Sequence, residues 1–174
     1  LAWHLSGGTT ELLLVLPDGK NVSCQKIGGT SDISAGQLID RTGQLLGLPF
    51  PAGKHIDEIS NEAVNTDLFP VKCKDLSFSF SGIQNKVQQY FSQNHNAAET
   101  AAYALRCICG AVQTVTLEAM KQHPGLPVVF SGGVASNSML RSAVAHLDAI
   151  FAQPEYSRDN ALGVAIIAHR ALEG

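Results

Sequence analysis

Short apolar runs dominate the first thirty residues, and helical spacing takes over after them. Leu1–Leu5 and Glu11–Leu16 flank a Ser6-Gly7-Gly8 turn, and Val22–Ile27 returns after Pro17-Asp18-Gly19. Three runs joined by two turn signals predict a three-stranded antiparallel start. Ser34 is placed as an N-cap. Ala35, Leu38, Ile39, Thr42, Leu45 and Leu46 then recur three and four apart, which predicts a helix that Gly47 ends.

Residues 48–96 lack a sustained period. Pro49-Phe50-Pro51-Ala52-Gly53 reads as a loop, Ile56–Val64 as a short helix, Phe69–Phe80 as extended or loop, and Ser81–Phe91 as a helix. This stretch is expected to be a helical insertion. From Ala98 to Gln122, Ala101, Leu105, Ile108, Val112, Val115 and Ala119 form a continuous stripe, the pattern of a long buried helix. His123-Pro124-Gly125 stops it. A buried strand at Pro127–Phe130, a helix at Ser138–Leu147, a strand at Ala149–Ala152 and a closing helix at Ala161–Leu172 complete the chain. The order is βββα, insertion, αβαβα. It predicts an α/β fold, the ribonuclease-H-like lobe of the actin-like ATPase fold used by sugar kinases, heat-shock ATPases and actin. Residues 1–174 are read as one lobe: strands and first helix 1–47, insertion 48–96, αβαβα 97–174.

Composition narrows the partners. The 174 residues, 45% hydrophobic and 16% charged, suffice for one soluble domain. A net charge of −3 argues against a free-standing RNA binder, which would carry a basic surface. Cys24, Cys73, Cys107 and Cys109 form no C-x-x-C pair and read as buried free thiols of a reducing, cytoplasmic compartment. No signal peptide and no run of 18 apolar residues is present, so no membrane partner is expected. Leu1 lies in a strand already under way, which suggests a lobe whose N-terminal companion is absent.

Four motifs could carry chemistry. In Ser6-Gly7-Gly8-Thr9-Thr10, a glycine pair between strands lets backbone N–H groups approach a phosphate, and the threonines add hydroxyls; a plain hairpin turn gives the same pattern. In Ser131-Gly132-Gly133-Val134-Ala135-Ser136-Asn137, a buried strand ends in glycines where α/β folds bind ligands. Asn137 either meets a base edge or caps the next helix. Asp40, one turn after Gly36, suits ribose hydroxyls; alternatively it is solvated or paired with Arg41. Asp159, at the start of the closing helix, is either a metal ligand or an acidic residue favoured by the helix dipole. The six histidines include no H-x-x-x-H pair.

Together these motifs, with the Phe50-Pro51-Ala52-Gly53 loop, Phe78-Ser79-Phe80-Ser81-Gly82 and Asp159-Asn160-Ala161, resemble the family of tRNA threonylcarbamoyladenosine synthase catalytic subunits. Its older names are glycoprotease and O-sialoglycoprotein endopeptidase. The resemblance covers nearly the whole chain. It implies a two-lobed actin-like fold and transfer of threonylcarbamoyl from an AMP-linked donor to an adenosine amine in tRNA. It implies an adenine nucleotide (ATP or threonylcarbamoyl-AMP), an iron or zinc ion, and accessory proteins of a modification complex. By motif position, Ser6, Gly7, Gly8, Thr9 and Thr10 would meet phosphate, Asp40 ribose, Gly53, Gly132 and Gly133 the nucleoside, Asn137 the base side, and Asp159 the metal. Thr9 stands where the family carries histidine. The family's metal-binding histidine pair belongs to the N-terminal lobe, and a catalytic metal needs about three protein ligands. The 174 residues alone are therefore expected to be inactive. The alternative is a non-catalytic nucleotide-binding or scaffold relative that dimerises through an exposed lobe face.

Overall fold

The computed structural model describes residues 1–65, 68–153, 156–157 and 161–172. Seven strands form one mixed sheet in the order β4-β5-β3-β2-β1-β6-β7. β1 (Ala2–Leu5), β2 (Thr10–Asp18) and β3 (Asn21–Thr30) make the expected antiparallel meander. β6 (Val129–Ser131) pairs parallel with β1, and β7 (Ile150–Phe151) parallel with β6. The run β3-β2-β1-β6-β7 is the ribonuclease-H-like order anticipated from the sequence.

The Phe69–Phe80 stretch, read as extended or loop, contains two more strands. β4 (Cys73–Lys74) and β5 (Ser77–Phe78) form a small antiparallel pair, and β5 joins β3 in parallel. So part of the 48–96 stretch extends the sheet instead of standing outside it. Strands of two residues carry no readable period, which is why the pattern passes over them.

α1 (Ala35–Leu45) starts at Ser34, whose hydroxyl accepts the Gln37 N–H while the Gln37 side chain returns to the Ser34 N–H, a capping box. α2 spans Gly53–Ser60, shifted towards the N-terminus from the expected 56–64, and α3 spans Ser81–Asn94. The long stripe becomes α4 (Ala97–Gln122), capped by Asn96 through the Glu99 N–H. α4 lies between the sheet and α1, α2, α3 and α5 (Ser138–Val144). Its small residues Ala101, Ala104, Ala111 and Ala119 are fully covered, so neighbouring helices can approach closely. Trp3 is buried beneath it, and its indole N–H donates to Thr116 Oγ1 at 2.9 Å, fixing sheet to helix.

α6 (Ala161–Leu172) buries no residue, and Leu162, Val164, Ile166, Ile167 and Leu172 are exposed. The cysteine expectation divides. Cys107 and Cys109 are buried, and that burial pushes their thiols up to about 11 and about 12, whereas Cys24 is exposed on the β2–β3 hairpin.

Candidate functional site

β1, β3, β5, β6 and β7 all run in one direction, so their carboxyl ends share one rim of the sheet. Loops at such a rim are where open α/β sheets bind ligands. Both Gly-Gly turns lie there.

At the first turn, Ser6 N–H donates to the Thr9 carbonyl at 2.9 Å, closing a tight hairpin. Ser6 Oγ accepts the N–H groups of Gly8 (3.3 Å) and Thr9 (3.1 Å). Two donors that could have faced a phosphate are thus turned onto Ser6, while the Gly7 N–H makes no hydrogen bond among the described residues. Side chains added at Gly7 or Gly8 would enter open space. Thr10 is buried, and its hydroxyl accepts the Ala35 N–H at 2.8 Å. Thr10 therefore seats α1 and does not face the rim.

α1 meets this turn directly. Ser34 Oγ donates to the Gly7 carbonyl at 2.7 Å, and the Gly36 N–H donates to the Ser6 carbonyl at 3.3 Å. A Cβ on Gly36 would lie 2.5 Å from the Gly7 Cα, so only glycine permits the approach. One turn later, Asp40 is half-buried, and its Oδ1 accepts the Ala52 N–H at 2.9 Å. It is neither solvated nor paired with Arg41, whose guanidinium donates to Gln84. Asp40 holds the Pro49–Gly53 loop, and with Arg41, Gln44, Gly47, Leu48, Pro49, Phe50 and Ala52 it lines a cavity of about 540 Å³. That volume falls in the range of small-molecule sites. Phe50 stands 81% exposed at its edge. Neither Gly-Gly turn lines this cavity.

The second turn crosses the end of β1. Gly132 has φ +91°, and a Cβ there would overlap the Leu5 carbonyl oxygen. Gly133 opens a short 3₁₀ turn, Gly133–Ser136, with open space around it. Asn137 is buried; its Oδ1 accepts the Leu140 N–H at 3.0 Å, the N-cap bond of α5, and its Nδ2 donates to Asp57 at 2.7 Å. Asp57, on α2, also accepts the Ser138 N–H and Oγ–H.

Three hydrogen bonds and one close backbone approach join the segments at the rim: Gly7 with Ser34, Asp40 with Ala52, Asp57 with Asn137, and Gly132 against the Leu5 carbonyl. Gly53, exposed at the start of α2, belongs to the same group of segments. Asp57 was not legible in the sequence, because nothing in the spacing of His55-Ile56-Asp57 announces a partner eighty residues away.

Asp32 was missed as well. It accepts from Ser79 Oγ, from the N–H groups of Ile33 and Phe80 (both 2.8 Å), and from the Ser81 N–H at 3.3 Å. Desolvation works to raise its pKa, but the bonds from Ser79, Phe80 and Ser81 outweigh it and bring the carboxyl down to about 2. The Phe78–Gly82 motif thus has an architectural role: its serines bond Asp32, and Phe78 and Phe80 are buried in the core.

Asp159 lies outside the described residues. Among the described residues, no three His, Cys, Asp or Glu side chains gather to hold a metal. No helix among them is long and apolar enough to cross a membrane.

Comparison of the sequence with known proteins points to a family. A family model described as "TsaD: tRNA N6-adenosine threonylcarbamoyltransferase" matches residues 1–166. A protein of that name from Streptococcus equi subsp. zooepidemicus (strain MGCS10565) is 34% identical over 83% of this chain and 45% of its own length. One from Enterococcus faecalis is 34% identical over 84% of the chain and 44% of its length. One from Streptococcus agalactiae serotype Ia is 32% identical over 97% and 53%. The chain spans about half the length of the curated relatives it matches. On this match, and with a sheet order and rim that agree with it, the chain belongs to the tRNA N6-adenosine threonylcarbamoyltransferase family.

Proposed function

We propose that these residues form the nucleotide-holding half of a threonylcarbamoyl-transfer site, which binds an adenine nucleotide, ATP or the threonylcarbamoyl-AMP donor. Three hydrogen bonds, at Gly7, Asp40 and Asn137, and the close backbone approach of Gly132 to Leu5 carry this reading, because they hold four separate segments at one sheet rim and leave open space at Gly7, Gly8 and Gly133. In this reading the Gly7 N–H faces phosphate, and the open space at Gly8 leaves room for it. Asp40 Oδ2, which accepts no hydrogen bond among the described residues, takes a ribose hydroxyl. Gly53 and Gly133 leave room for the nucleoside. Asn137 has its amide oxygen committed to the α5 cap and offers only its remaining Nδ2 hydrogen. Asp159 would supply one ligand to an iron or zinc ion whose other ligands come from outside these residues. The acyl acceptor is an adenosine amine of tRNA, and accessory proteins complete the complex in the cytoplasm.

Calorimetry with AMP and ATP tests the nucleotide site. Weak binding, lost in Asp40→Ala, is the expected result; no heat at millimolar ligand rejects the site. These 174 residues alone are expected to form no threonylcarbamoyladenosine, and modified tRNA from the isolated chain would show that the catalytic set is complete without a second lobe.

One observation favours a second reading, a scaffold that dimerises. α6 exposes five large apolar side chains, a surface that soluble proteins usually cover. Sedimentation velocity separates the readings: a concentration-dependent dimer abolished by Ile167→Asp supports the scaffold, and a monomer at all concentrations removes it.

A further inference from the structure

A second cavity of about 540 Å³ lies at the far side of the sheet, lined by Ser31, Lys72, Cys73, Lys74, Ser77, Phe78 and Ser79. Its chemistry follows from strand register. β4 and β5 pair Cys73 with Phe78 and Lys74 with Ser77, so Lys72 stands beside Ser79. Alternation puts Phe78 into the core and Lys72, Lys74, Ser77 and Ser79 on the solvent face. Lys72 and Lys74 thus stand with Ser77 along a shallow groove, while the Ser31 and Ser79 hydroxyls donate to the Phe78 carbonyl and to Asp32. Neither lysine forms an ion pair among the described residues. Lys72 and Lys74 line the groove with no carboxylate among its described lining residues, in a chain of net charge −3.

Position adds a second argument. Ser31 and Ser79 follow β3 and β5 at their carboxyl ends, on the same rim as the Ser6–Thr9 turn. β5 is three strand spacings from β1 in the sheet, about 14 Å at the usual separation. A polyanion whose reacting base sits at the first turn can therefore reach this groove with its neighbouring backbone.

We propose that the Lys72–Lys74 groove binds phosphodiester groups of the RNA substrate, beside the nucleotide-holding rim. This rests on the reading of tRNA as acceptor. Two lysine–phosphate contacts would make affinity salt-dependent and indifferent to base identity. Asp32 borders the groove: its carboxylate accepts from the hydroxyl of the lining residue Ser79 and from the N–H groups of Phe80 and Ser81, so its charge is met by these donors and the two lysines remain the groove's unpaired ions among the described residues.

The competing role for these lysines is to guard β4, the outermost strand, against pairing with another chain. Fluorescence anisotropy of a labelled tRNA, titrated with the chain over a range of salt, decides between them. Lys72→Ala/Lys74→Ala should weaken binding about tenfold and lower the slope of log affinity against log salt by about 1.4 to 1.8. Lys72→Arg/Lys74→Arg should retain both, and AMP binding should be unchanged in either variant. RNA binding indifferent to both lysines overturns the groove alone, and aggregation of the alanine variant with unaltered RNA affinity identifies edge guarding. No RNA binding by the wild-type chain overturns the groove and the tRNA reading together, while leaving the nucleotide site to its own calorimetric result. Titration with inorganic phosphate gives the last arm: saturation at micromolar phosphate that excludes the RNA would make this a free-anion site and overturn the assignment.

Discussion

Single residues at the rim divide into those that build it and those that leave it open. Gly132 builds it. Alanine there meets both a positive φ and the Leu5 carbonyl, so Gly132→Ala is expected to cost on the order of 3 kcal/mol in urea denaturation. Gly7→Ala adds its methyl group to open space, and stability should stay within about 0.5 kcal/mol while AMP binding weakens. A parallel loss of both properties in Gly7→Ala would assign the turn a structural role only. Asp32 makes the rim sensitive to acid. Its pKa is lowered on folding from 3.8 to about 2, so its contribution is full above pH 4 and disappears as pH falls through that interval. The group is exposed and screened, which limits the contribution to about 1 kcal/mol. Asp32→Asn should flatten the dependence of the urea midpoint on pH across that window. The glycine pairs were legible because each closes an apolar run, while Asp40 gained its role only through the family resemblance. Asp32 and Asp57 were not, since an aspartate that caps a distant segment looks in sequence like any solvated carboxylate.

Among elements, α4 organises the fold, and its sequence reveals that most directly. A stripe sustained from Ala101 to Ala119 leaves little freedom of interpretation, and the helix boundary fell within one residue of the expected start. Thr116 is the informative exception on that buried surface. Its hydroxyl accepts from Trp3 and donates to the Val112 carbonyl at 2.6 Å. Thr116→Val strands the indole N–H in the core and is expected to cost about 1 to 3 kcal/mol in thermal or urea unfolding, with the fold retained. Arg106 is a second exception, 1% exposed, held by Glu99 and the Asn65 carbonyl and lying over the Phe69 ring. It ties the segment before β4 to α4, a role that a charged residue inside an apolar stripe does not disclose. The shift of α2 to Gly53–Ser60 and the appearance of β4 and β5 have one cause: short elements are placed by partners, not by their own period.

At the scale of the whole molecule, the order of the main strands and helices was readable because the stripe of the 26-residue α4 separates the antiparallel strands from the β6-α5-β7 crossover. The sheet's centre, however, is assembled from sequence extremes. β1 lies between β2 and β6, and Ser131 Oγ donates to the Trp3 carbonyl across 128 residues. During synthesis, β1 can close its hairpin with β2 at once, yet its opposite edge finds no strand until β6 has emerged. Between the emergence of β2 and that of β6, that edge presents unpaired N–H and C=O groups together with Trp3 and Leu5, the material from which strands recruit foreign partners. The same central placement that sets the Ser6–Thr9 turn beside Gly132 thus makes the nascent chain dependent on shelter, and gives its folding a slow, non-local last step.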